Sequence, residues 1–207
     1  MKRILAAGFG LAALWGATAQ ARPVSWPGGV TVMAERTGDD AGVLVHYTVD
    51  PRFSLGLRQQ WTPDGEPART QLVATRLLRR WNEPASQANI YARAALGVSE
   101  AAGRTGAADI EMMADWETRR WYVSAAAKGT RDGADSTGQM KARVGVAPYL
   151  GDFGDLHTWL MLEADWKPER ADPVLVRPLV RFFYDVHLVE LGWSSDDELF
   201  AAYILRL

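Results

Sequence analysis

The chain has 207 residues, a formal net charge of −2, 23 % charged residues and no cysteine. That length suits one sizeable domain, and the composition excludes a disordered or low-complexity polymer. The near-balanced charge excludes the concentrated basic footprint of a nucleic-acid binder, and the missing cysteines exclude a disulfide scaffold and thiol chemistry.

The first element reads as an export leader. In "MKRILAAGFGLAALWGATAQA", Lys2 and Arg3 form a charged start, Ile4 to Trp15 an apolar run, and Ala17, Ala19 and Ala21 a small-residue cleavage region. The apolar run falls short of the roughly 20 residues that a membrane-spanning helix needs. The expectation is a cleaved signal peptide at 1–21 and a single mature domain at 22–207. Past Ala21 no segment has the apolar length of a spanning helix, which leaves a closed barrel as the remaining way to cross a membrane.

From Val30 onward the sequence alternates with period two between turn-forming stretches, and no convincing helical period appears. The pattern predicts twelve strands at 30–35, 42–50, 53–62, 69–80, 88–99, 107–116, 119–129, 137–149, 156–166, 174–184, 186–194 and 199–207. Connections after even-numbered strands are mostly tight: "DP", "ET", "GDFGD" at 151–155, and almost nothing around Asp185. Those after odd-numbered strands are longer and rich in Gly, Pro and Asp, such as "RTGDDAG", "TRDGADS" and "KPERADP". Short turns at one end and longer loops at the other, around an even number of antiparallel strands, is the pattern of outer-membrane barrels. "WNEPASQ" at 81–87 is the exception, a long connection on the short side.

The faces of the strands agree. In "VLVRPLVRFFY", Val174, Val176, Pro178, Val180 and Phe182 oppose Leu175, Arg177, Leu179, Arg181 and Phe183; in "DIEMMADW", Ile110, Met112, Ala114 and Trp116 oppose Asp109, Glu111, Met113 and Asp115. One face stays free of charge for about the 9–11 residues a tilted strand needs to cross a bilayer core. A soluble sandwich also alternates, but it does not predict aromatics gathered at strand ends, where Trp61, Trp81, Trp116, Trp121, Trp166, Tyr184 and Trp193 fall. The last strand, "LFAAYILRL", runs to Leu207, where such barrels usually carry an aromatic. The strand at 69–80 argues back: Arg76 and Arg79 fall on opposite faces, so either Arg76 is luminal and Arg79 snorkels, or a bulge shifts the register.

"RWNEPASQANIY", "ARVGVAPYLGDFGDLHTWLML" and "LVRFFYDVHLVELGWS" together resemble a family of exported, outer-membrane β-barrel-like proteins of Gram-negative bacteria with no assigned activity. The resemblance spans most of the mature chain. It implies an exported barrel and carries no catalytic or binding residue.

The expected fold is therefore all-β: an antiparallel, up-and-down transmembrane β-barrel of about twelve strands in the outer membrane, with both termini periplasmic. The expected lumen is lined by Arg58, Arg93, Glu111, Asp115, Lys141, Arg143, His157, Glu163, Asp165, Arg177, Arg181, Glu190 and Arg206, with His46 also facing in. Isolated charges in a narrow lumen are costly, so most should be paired or wet. Two readings follow: a narrow polar pore with weak anion preference, or a structural barrel with a salt-bridged lumen. A secreted or periplasmic soluble barrel or sandwich binding a small ligand or metal is the alternative outside the membrane.

Catalysis is the weaker expectation. There is no G-x-S-x-G, and His157 and Thr158 point to opposite faces of a strand. No metal or other cofactor is expected, because the three His are far apart and no H-x-x-x-H or H-E-x-x-H occurs. The expected partners are outer-membrane lipids and, during insertion, the barrel-assembly machinery, with no nucleic acid; the sequence does not specify an oligomeric state.

Overall fold

The computed structural model describes residues 23–100, 103–152 and 154–207, so the expected leader at 1–21 lies outside the described residues. Among them the chain forms twelve strands: β1 (Val30–Arg36), β2 (Ala41–Asp50), β3 (Phe53–Trp61), β4 (Pro67–Glu83), β5 (Ser86–Ser99), β6 (Thr105–Thr118), β7 (Trp121–Asp132), β8 (Asp135–Val146), β9 (His157–Trp166), β10 (Val174–Tyr184), β11 (His187–Trp193) and β12 (Leu199–Arg206). Each pairs antiparallel with the next, and β1 pairs with β12 (Thr31 opposite Arg206), so the sheet closes into a barrel. Closure leaves no unpaired sheet edge along the wall.

Alternation explains the wall. On β10, Leu175, Arg177, Leu179 and Arg181 are buried while Val174 and Val176 are exposed. Polar and charged groups fill the inside, and the outside is oily, the reverse of a water-soluble barrel. Leu72, Leu96 and Ile110 are 71, 68 and 68 % exposed, an apolar belt far larger than a soluble monomer tolerates. Exposed Trp81, Trp116, Trp121 and Tyr184 ring the end that carries the chain termini, and Trp166 and Trp193 the opposite, loop end.

Three connections differ from the sequence expectation. The stretch 81–87 is not a long connection: the ladder continues through Asn82 opposite Gln87 and Glu83 opposite Ser86, leaving a turn of two residues, 84–85. Its polar residues bond across the hairpin, with Arg80 Nε donating to Asn89 Oδ1 at 2.7 Å and the Gln87 amide donating to Asn82. The real long connection at the terminal end is 147–156, within which the Tyr149 hydroxyl donates to the Leu156 carbonyl at 2.7 Å. At the loop end "TRDGADS" shrinks to a two-residue turn at 133–134, with Gly133 at φ 60°.

The conflict on β4 is settled by a bulge. The register shifts between Leu77, opposite Tyr91, and Arg79, opposite Ile90, so Leu78 is the extra residue. Arg76 consequently lies on the outer face, not in the lumen, at the level where the β2–β3 hairpin turns back. Arg79 shares that face with its guanidinium 4.9 Å over the Trp81 ring, and Arg80 turns inward.

Candidate functional site

The barrel interior is the site, because period-two strands deliver every inward side chain to one enclosed volume. All thirteen residues expected to line the lumen occupy inward positions. They do not form one constellation, however; the interior divides into three zones.

The first is a cavity of about 490 Å³ in the loop half of the barrel, lined by charges of both signs. Several of its pairs span the lumen rather than neighbouring strands. Arg58 on β3 reaches Asp109 on β6 at 3.0 Å, Arg69 on β4 reaches Asp132 on β7 at 2.9 Å, and Lys141 on β8 approaches Glu35 on β1 at 3.8 Å. Arg93 bonds Glu111 on the adjacent strand at 2.9 Å. Asp165 accepts from Gln139 Nε2 at 2.8 Å, with Arg170 3.6 Å away. Lys128 also lines the cavity, opposite Glu111 in the β6–β7 ladder, and its ammonium feels the charges of Glu111 and Asp109, which are themselves bonded to Arg93 and Arg58.

Over the mouth of this cavity, Asp39 from the β1–β2 loop accepts from Lys167 and Arg170 of the β9–β10 loop, each at 2.5 Å. Burial raises the Asp39 carboxyl, but the bonds and charges of Lys167 and Arg170 outweigh it and hold the group below its ordinary value.

The second zone is a lattice on β8 to β11. Arg143 bonds Glu163 at 2.5 Å and Glu190 at 2.9 Å; Arg177 bonds Glu163 at 2.6 Å, and Arg181 bonds Glu190 at 2.6 Å. Tyr122, Met161, Leu179 and Phe200 share the register row between its two ion-pair rows, Arg143–Glu163–Arg177 on the loop side and Arg181–Glu190 on the terminal side. Three guanidiniums share two carboxylates, and aromatic faces take the surplus: Arg177 sits 4.5 Å over Phe200 and Arg181 4.9 Å over Tyr122.

The third zone is the terminal half of the β1–β6 wall, closed by Val24, Leu77 and Tyr91 with Met113 packed against them. Asp115 accepts from Asn89 Nδ2 at 2.7 Å here, and Arg206 lies buried opposite Thr31. His157 stands apart near the terminal end, its ring 6.2 Å from that of Phe183. Glu163 and Asp165 lie farther up the same strand, so the three form no relay.

Sequence reasoning passed over Lys128, Arg69, Asp132 and Gln139. Alternation could have found Lys128, since "AAAKGTR" places it and Thr130 on the face opposite Ala127 and Gly129. The cross-lumen pairs have no such signal, because they depend on the barrel's diameter.

No protein-family model matches the sequence, and no curated protein does. Among solved structures the chain is similar to the KdgM porin, with TM-score 0.52 and 12 % identity over 86 % of this chain and 97 % of that one. A second KdgM structure, in complex with disordered oligogalacturonate, gives TM-score 0.51 at 12 % identity, over the same shares. Pseudomonas aeruginosa OccK8 also matches, at TM-score 0.47 and 8 % identity; the match covers 84 % of this chain but 61 % of OccK8. At such identities the likeness is one of architecture: this chain has the closed antiparallel barrel of the KdgM porin.

Proposed function

We propose that the chain is a small outer-membrane barrel providing a narrow polar pathway with weak anion preference. The observation that carries this is the charged cavity in the loop half of the lumen, where seven cationic side chains face six carboxylates and the Lys128 ammonium shares Asp109 and Glu111 with the arginines that bond them. The apolar belt and aromatic rings support insertion in a bilayer, with the termini on the periplasmic side and the 37–40 and 167–173 loops outside. Its partners on this reading are outer-membrane lipids and, during insertion, the barrel-assembly machinery, with no nucleic acid. The same features support grouping it with the exported barrel-like family that "RWNEPASQANIY" resembles. A KdgM porin has been seen with oligogalacturonate, a polyanion, which is in keeping with an anionic solute here.

The test is reconstitution of the heat-modifiable, folded barrel in planar bilayers under a KCl gradient. The reading expects small current steps with a reversal potential displaced toward chloride. Cation-favouring reversal contradicts the anion preference. Silence of both the native chain and the Val24→Asp variant described below contradicts the pore itself. A second reading, a purely structural barrel, is favoured by one observation: the centre of the Arg–Glu lattice is buried, with Arg177 and Glu163 side chains each 3 % exposed. That reading expects the same mobility shift on heating and no current.

A further inference from the structure

The loop-half cavity needs a continuation if solutes are to cross, and the lattice side offers none, being filled by mutually bonded charges and by the apolar row between them. The opposite wall differs. On β2 the inward residues run Leu44, His46, Thr48 toward the periplasm, and on β3 they run Arg58, Gly56, Ser54, each opposite its counterpart. Leu44 and Arg58 line the cavity. One step deeper, His46 is 4 % exposed and neither ring nitrogen has a partner among the described residues. Thr31, opposite His46, is fully buried with an unpartnered hydroxyl, and Gln71, opposite Arg58, is 1 % exposed with both amide atoms unpartnered. Closed interiors normally satisfy such groups. The paired Thr31 and His46, left open one row below the cavity with the charges of Arg93 and Arg206 acting on His46, and Gln71, left open in the row above, mark a place built for something that comes and goes. Gly56 makes room for it, since a Cβ there would stand 2.7 Å from that of His46.

The step after that is blocked, and the block comes from outside the wall. Residues 23–29, ahead of β1, fold back into the periplasmic mouth. Ser25 N donates to Thr48 Oγ1 at 3.1 Å, and Ser54 Oγ donates to the Pro23 carbonyl at 2.9 Å. Gly28 N and Thr48 N exchange backbone bonds with Thr48 O and Gly29 O. Val24, 2 % exposed, packs on Leu77 and Tyr91. One buried valine and a few hydrogen bonds hold this segment, whereas the strands beside it are held by full ladders.

We infer that small anions pass along the β1–β4 wall through a polar waist at Thr31, His46 and Gln71, and that residues 23–29 are a displaceable stopper over its periplasmic end. This rests on the pore reading and adds to it the path, the binding step and the gate.

Three forms of the mature chain test it in bilayers, each first checked for heat-modifiable mobility: native, Val24→Asp, and Val24→Asp with His46→Trp. A buried aspartate should eject the stopper, so Val24→Asp should conduct several-fold more than native, and the tryptophan should cancel that gain by filling the waist. If native and Val24→Asp conduct equally, the stopper is refuted while the pore stands. If the gain survives His46→Trp, the path is elsewhere. If neither form conducts, the pore reading falls and this inference with it. The absence of native cysteine allows a readout without current. With His46→Cys in a folded barrel, an impermeant maleimide should label residue 46 in the Val24→Asp background and spare it when Val24 is present; equal labelling in both overturns the stopper.

Discussion

Arg143 on β8 and Glu190 on β11 meet at 2.9 Å although β9 and β10 lie between their strands. Neighbouring strands stand about 4.8 Å apart, so these two are separated by roughly 14 Å along the wall. Two extended side chains close that span as a chord, which narrows this side of the lumen to the width of the lattice itself. Glu190 also holds Arg181 at 2.6 Å, so one carboxylate is shared by two guanidiniums.

Replacing Glu190 by Gln should therefore cost about 3–5 kcal/mol of folding stability, the usual penalty for stripping the partner from a buried charge. The measurement is the urea midpoint of the folded barrel in lipid vesicles. A loss under about 1 kcal/mol, the scale of an exposed pair, would show that water reaches the lattice.

At the loop end, Asp39 ties two loops together through Lys167 and Arg170. Its carboxyl titrates below the ordinary 3.8, and a depressed carboxylate contributes stability that is fully present above the ordinary value and is lost as pH falls through the lowered one. The clasp should thus be unchanged between pH 7 and pH 5 and should open only below 3.8. Its side chain is 44 % exposed, so high salt should weaken it at any pH. The carboxyl carbon shift of Asp39, followed by NMR against pH, gives the midpoint, and a value above 3.8 contradicts the clasp. Asp39→Asn should speed labelling of a Thr37→Cys reporter at neutral pH.

Lys128 tips the charge balance of the cavity, because the carboxylates it faces, Asp109 and Glu111, are already bonded to Arg58 and Arg93. Lys128→Glu should move the reversal potential in a KCl gradient toward the cation side and should also lower the urea midpoint, because residue 128 stands opposite Glu111 in the β6–β7 ladder and two carboxylates would then face each other. Lys141→Glu should act in the same direction and destabilise in the same way, because it would face Glu35 across the lumen. A reversal potential unmoved by Lys128→Glu would place ion flow outside this cavity.

The wall was legible in the sequence because its signal is local: Val174 to Phe183 announces one oily and one charged face without any knowledge of the partner strands. Individual inward charges followed from the same alternation. Their pairing did not, since Arg58 to Asp109 and Lys141 to Glu35 are chords whose existence depends on diameter and stagger. Residues 81–87 misled because Asn, Glu and Pro there look like a loop, yet side-chain bonds such as Arg80 to Asn89 keep the hairpin zipped. Val24 was invisible for the opposite reason: one apolar residue among Pro, Ser and Gly has no period to betray its burial.

The membrane placement itself is open to a stability test. Leu162 is 48 % exposed on the outer face, midway along β9. In water an exposed Leu→Arg exchange is near neutral, within about ±0.5 kcal/mol. In a bilayer core the same exchange costs roughly 2–4 kcal/mol. Leu162→Arg should therefore lower stability by that larger amount in vesicles. Arg76→Leu, at the rim where the β2–β3 hairpin turns, should change little, because a rim arginine already snorkels. Equal and small effects at both positions would mean that the oily belt does not face lipid, and the barrel would then have to bury it against another protein.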